Sequence, residues 1–202
     1  MDPARLTDIQ LDALREVTHI GCGSAATALS QLLDGMRIDV SVVASRVVPT
    51  SELPLALGEQ AQEVVGVRLG LRGVVEGTLL LVFPTEHAQT LAGVLSRKTS
   101  FVNDPEVLSD SALMEVGNIV ASAFLNAVGR VTGLMLLPSV PHLVSGELAG
   151  MAQDLVDGDG SADRVLVLDT WFEAAGEDRF QGHVVIAPKP DSIDALLGTL
   201  GL

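Results

Sequence analysis

The stretch DPEVLSDSALMEVGNIVASAFLNAVGRVTG, residues 104–133, decides how the chain reads. Leu113, Val116, Val120, Phe124, Ala127 and Val131 recur at helical spacing, so the stretch is expected to form one long amphipathic helix that buries this stripe. Ser111, Glu115, Asn118 and Ser122 fall at i, i+4, i+7 and i+11 on a different face. That face sets a carboxylate and a carboxamide one turn apart, toward solvent. Most polar helix faces are only solvated surface. Two features set this one apart, an earlier copy of the pattern and a proline at a defined distance.

The copy is TDIQLDALREVTHIGCGSAATALSQLL, residues 7–33. Subtracting 99 from each position takes Ser111 to Asp12, Glu115 to Glu16, Asn118 to His19 and Ser122 to Gly23. Both copies follow [DS]-x3-E-x2-[NH]. Twenty-two residues separate Asn118 from Pro141, whereas the position equivalent to Pro141 in the first copy is Val42. The first copy therefore lacks both the amide and the proline.

The pattern Ser111-x3-Glu115-x2-Asn118-x22-Pro141 resembles the signature of the CheC/CheX/FliY family of chemotaxis phosphatases. The resemblance covers nearly the whole chain, since the duplicated layout belongs to the CheC branch. It implies an α+β, internally duplicated pseudo-twofold fold, with a central, mostly antiparallel sheet and two long surface helices. One domain over 1–202 would consist of two repeats, about 5–98 with a degenerate site and 104–201 with an intact one. The implied activity is hydrolysis of the phosphoaspartate on a CheY-type response regulator. No cofactor of its own is implied, because the receiver supplies Mg²⁺ and a lysine.

Within that chemistry, Asn118 is expected to hold a water in line with phosphorus. A carboxamide accepts one hydrogen bond and donates another without changing charge, and phosphoryl transfer is mostly positioning and electrostatics. Glu115 is expected to pair with the receiver's lysine, with general-base action as the second reading. Ser111 could bond at the same interface or only cap or solvate the helix. Pro141 could shape the neighbouring strand or be an ordinary strand-edge proline. Asp12, Glu16 and His19 make up the degenerate site, where an imidazole differs in reach from a short amide. The rival reading is a binding module for phosphorylated CheY or the CheD deamidase. A third is an unrelated α/β scaffold with an inert polar face.

Composition narrows the field. The chain has 202 residues, 48% hydrophobic, with 3% aromatics, so a core of Leu, Val, Ala and Ile is expected. Its net charge of -14 argues against nucleic acid as a partner and would favour a basic protein surface. The single cysteine, Cys22, excludes an internal disulfide and reads as a small buried hydrophobe in GCGSAA, where small residues permit close helix packing. No signal peptide is expected, nor any apolar run of the ~20 residues that span a membrane. A cytoplasmic monomer is the expectation. The alternating Asp157, Asp159, Ser161 and Asp163 lack the glycine and glutamate of a calcium loop. His87, His142 and His183 show no ligand spacing.

The remaining elements follow from local pattern. Strands are expected over 36–48, 63–71, 74–83, 134–144, 164–174 and 179–187, with a hairpin turn at Arg72-Gly73. Helices are expected over 50–57, 84–97, 147–155 and 190–200, beside the two long ones. Asp34-Gly35 should stop the first helix, and Lys98–Asn103 should link the halves. The order helix, strand, short helix, hairpin, helix occurs twice.

Overall fold

A computed structural model describes residues 7–32, 38–58, 62–96, 105–157, 164–174 and 179–202. The Asp34-Gly35 stop, the Lys98–Asn103 link, residues 1–6 and nearly all of the Asp157–Asp163 stretch lie outside these residues. The first half contains α1 (Asp8–Leu32), β1 (Ile38–Pro49), a 3-10 turn (Thr50–Glu52), α2 (Leu53–Leu57), β2 (Glu63–Gly73), β3 (Gly77–Pro84) and α3 (Thr85–Ser96). The second contains α4 (Pro105–Thr132), β4 (Leu136–Pro138), β5 (His142–Glu147), α5 (Leu148–Asp157), β6 (Arg164–Ala174), β7 (Arg179–Pro188) and α6 (Pro190–Thr199). Thr7 starts α1 through a reciprocal cap: its hydroxyl accepts the Gln10 N–H at 3.3 Å, and the Gln10 side chain accepts the Thr7 N–H at 2.9 Å.

The strands form one antiparallel sheet in the order β1-β6-β7-β3-β2-β4, with β5 also paired to β2. Treat β4 and β5 as one interrupted strand. Exchanging the first-half strands for their second-half counterparts then returns the same order read backwards. Each half thus lends its first strand to the other half's hairpin.

Alternation of side chains splits the core in two. Val67, Leu69, Leu81, Leu168 and Val184 face α1, α3 and α4. Val64, Leu80, Val82, Val165 and Val185 face α2 and α5. The result is three layers. No isoleucine is among the described buried residues; Leu, Val and Ala fill both cores, with Phe83 and Phe124 as the large rings.

The helix α4 buries Leu113, Val116, Val120, Phe124 and Ala127, as its spacing predicts, and also Ala121, Leu125 and Val128. The stripe is wider than predicted because α4 packs on both the sheet and α1. Val131 departs from expectation at 46% exposure: in the last turn Thr132 points inward instead, its hydroxyl donating to the Val128 carbonyl at 2.9 Å. By length and composition Asp110–Thr132 is apolar enough to cross a bilayer, contrary to the expectation that no such run exists, but half of it is buried within the protein. A helix enclosed by two partners has that composition without a membrane.

Two other boundaries shift. The hairpin turn falls at residues 74–76 rather than at Arg72-Gly73. The single strand expected over 134–144 is two strands, broken at 139–141, where Pro141 offers no N–H. Ser139 fills the gap: its N–H donates to the Gly70 carbonyl and its hydroxyl accepts the Gly70 N–H, both at 2.8 Å. The equivalent place in β1 is also irregular, with a register shift between Val42 and Ala44.

A polar cluster closes one end of the second core. Arg46 Nη2 donates to Asp169 at 2.8 Å and to the Ala56 carbonyl of α2 at 2.8 Å, and His183 Nδ1 lies 2.9 Å from the same carboxylate. Burial pushes the His183 pKa below the ordinary 6.5, against the opposing pull of Asp169. Stability should therefore be full above pH 6.5 and fall as pH drops below it, because the unfolded imidazole takes up a proton that the folded one refuses. His183→Gln should flatten that slope in urea unfolding followed as a function of pH.

Close approach tests the packing directly. A Cβ on Gly117 would lie 2.3 Å from Val67 Cγ1 and 2.8 Å from its Cβ, whereas one on Gly23 meets nothing within 4 Å. Gly117→Ala should lower unfolding free energy, since overpacking costs about 1–3 kcal/mol and alanine returns only about 1 kcal/mol in a helix. Gly23→Ala should leave it unchanged or raise it by up to about 1 kcal/mol. Urea midpoints of the two variants check both signs.

Candidate functional site

The site is built on α1 and α4, which lie side by side on one face of the sheet. Leu14, Val17 and Thr18, from the first half of α1, line the same cavity as Phe124, Leu125 and Val128, from the second half of α4. The two helices therefore run in opposite directions. They approach closely because α1 offers Gly21, where a Cβ would come within 2.4 Å of the Phe124 ring. The neighbouring Cys22 is buried, and burial pushes its thiol up to about 12, so it packs as a hydrophobe and stays protonated.

With the apolar side of α4 fixed by the sheet and by α1, its remaining side must face water. Ser111 and Glu115 are exposed there, and Asn118 and Ser122 are half-buried. Among the described residues, the Glu115 carboxylate and the Asn118 carboxamide have no hydrogen-bond or ion-pair partner. No described residue occupies the amide's donor or acceptor. Pro141 is half-buried in the break between β4 and β5, strands that border α4.

The first-copy residues share a face of α1: Asp12, Glu16 and His19 are all exposed. Asp12 forms an ion pair with Arg15 at 3.0 Å, one turn along. Both polar stripes therefore face outward, one on each helix, and they do not converge on a single centre. Among the described residues no three His, Cys, Asp or Glu side chains cluster as metal ligands. Sequence reasoning missed an open groove of about 460 Å³ between the helices, where Ser24, Thr27 and Gln31 face Asn126 and Arg130. Only the antiparallel pairing of α1 with α4 creates it.

Comparison with known proteins bears on the family and the fold. A model of the CheC-like family matches residues 9–42. The chain is 31% identical over 198 residues to the CheY-P phosphatase CheC of Bacillus subtilis (strain 168), covering 95% of this chain and 94% of that protein. Its fold is similar to that of FliY from Thermotoga maritima, with a TM-score of 0.76 and 21% identity over 97% of this chain and 98% of the other. A chain of the CheX–CheY–BeF3–Mg²⁺ complex from Borrelia burgdorferi also shares the fold, at a TM-score of 0.53 and 21% identity, covering 84% and 95%.

Side chains without internal partners contribute little to folding. Asn118→Ala and Glu115→Ala should each change unfolding free energy by less than about 0.5 kcal/mol, as surface substitutions do. Thermal or urea unfolding of the two variants checks this.

Proposed function

Since the chain belongs to the CheC-like family, we propose that it dephosphorylates the phosphoaspartate of a CheY-type response regulator in the cytoplasm, as a monomer. The observation that carries this reading is the intact Glu115/Asn118 pair, one turn apart on the solvent side of α4, with no partner among the described residues. Two surface side chains cannot by themselves cleave an acyl phosphate. They can complete a centre whose other parts sit on the substrate protein.

In this mechanism the receiver brings the phosphoryl group, Mg²⁺ and its lysine. Asn118 enters the receiver's pocket from the side opposite the aspartyl oxygen. Its Oδ1 accepts a hydrogen bond from water, and its Nδ2 donates to the same water or to a phosphoryl oxygen. The water is thereby held in line with the P–O bond that breaks, and the entropic part of the barrier falls. Glu115 pairs with the receiver's lysine, which fixes how deeply the helix inserts. Ser111 adds a hydrogen bond at the rim, and Pro141 holds the strand that borders α4. On α1, His19 stands where an amide is needed, so the first site is a relic or a docking surface.

One observation favours a second reading. His19 in place of asparagine leaves a single complete pair, which suits a module that holds phosphorylated CheY, or the CheD deamidase, with little turnover. Phosphate release from CheY-P separates the two, since acceleration by this protein is expected only of a phosphatase. No acceleration at saturating protein would discard the enzymatic reading. Asn118→Ala should abolish the acceleration while binding survives. Glu115→Lys should weaken binding and turnover together, and His19→Ala should change little. An effect of His19→Ala equal to that of Asn118→Ala would overturn the one-site assignment.

A further inference from the structure

The face of the sheet opposite α1 and α4 carries a second concavity, of about 470 Å³, between the strand ends and α5. Its chemistry runs against the rest of the molecule. The chain holds 26 Asp and Glu against 12 Lys and Arg. Yet three of those cations, Arg68, Arg72 and Lys189, line this one pocket, with His142 beside them and Glu76 as its one acid among the described residues. Glu76 is held by Lys189 at 2.7 Å. Among the described residues neither Arg68 nor Arg72 has an ion-pair partner.

Strand register explains the convergence. Arg68 and Arg72 alternate with Val67, Leu69 and Leu71, which face the other core, so both guanidinium groups leave the sheet on the α5 side. Arg68 is paired with His142 across β5, and Thr78 is paired with Gly70 across β3. Thr78 therefore brings its hydroxyl to the same floor. Two planar forks, a lysine, an imidazole and a hydroxyl around one concavity make a donor-rich lining with few acceptors. Such a lining fits the oxygens of a small anion.

We propose that this pocket binds a small anion carrying two phosphate groups, held by Arg68 and Arg72. The volume lies in the range of small-molecule sites. A long polyanion is disfavoured, because the net charge of -14 repels it over the whole surface. A small anion inside the pocket meets the local cations, while more distant acids are screened over about 8 Å at physiological salt. The site shares no residue with the Glu115/Asn118 face and does not depend on the phosphatase reading.

The test is isothermal titration calorimetry of the full chain, with no receiver present, using inorganic pyrophosphate in one arm and ADP in the other. Saturable binding that weakens as sodium chloride rises is expected. Similar affinity for both probes identifies the free anion as sufficient, and tighter ADP binding identifies a phosphate ester. Arg68→Gln and Arg72→Gln should each weaken binding about tenfold, the usual effect of losing one charged hydrogen bond. Arg130→Gln, on α4, should leave it unchanged. Arg72 is exposed, so Arg72→Glu repeats the test without disturbing the core. Absence of saturable binding by both probes in the millimolar range, or undiminished binding by the Arg68→Gln/Arg72→Gln double variant, would overturn the proposal.

Discussion

The arrangement depends on how closely two long helices approach what lies beneath and beside them. Gly117 lets α4 settle onto Val67 of β2, and Gly21 lets α1 accept the Phe124 ring of α4. Both contacts are too tight for any other side chain without movement of the neighbour. Together they fix the rotation of α4 about its own axis. A helix free to roll by one residue, about 100°, would carry Asn118 from the surface toward the sheet. The placement of the polar face follows from packing on the opposite face.

The same contacts explain how a sequence with few aromatics builds two cores. Leu, Val and Ala fill space on both sides of the sheet, and the ring of Phe124 sits where α1 has no side chain. The glycines that weaken α1 and α4 as isolated helices are therefore required once the helices pack. In this chain local propensity gives way to tertiary fit.

Much of this was legible in the residues. The apolar stripe of α4, the repeated order of elements and the period-two strands β6 and β7 were read nearly to their observed limits. Misreadings have identifiable causes. Val131 continues the helical spacing, but in the last turn Thr132 takes the inward side, and periodicity carries no information about which neighbouring position the packing selects there. The run over 134–144 is mostly apolar, yet the missing N–H of Pro141 divides it. The cluster of Arg46, Asp169 and His183 joins residues as far as 123 positions apart and needs the sheet order to exist. The cationic pocket likewise needs register across four strands. At the candidate site, the spacing of Glu115 and Asn118 was visible, whereas the lack of a partner for them among the described residues required coordinates.

The two irregular outer strands have a consequence for the assembled molecule. An open sheet exposes backbone donors and acceptors along both rims, and a straight rim recruits further strands from other copies. Here one rim is kinked between Val42 and Ala44 and the other is severed at residues 139–141, at positions equivalent in the two halves. Neither rim offers an unbroken row of amides to a stranger. The interruption that borders α4 also guards the protein against stacking into ribbons.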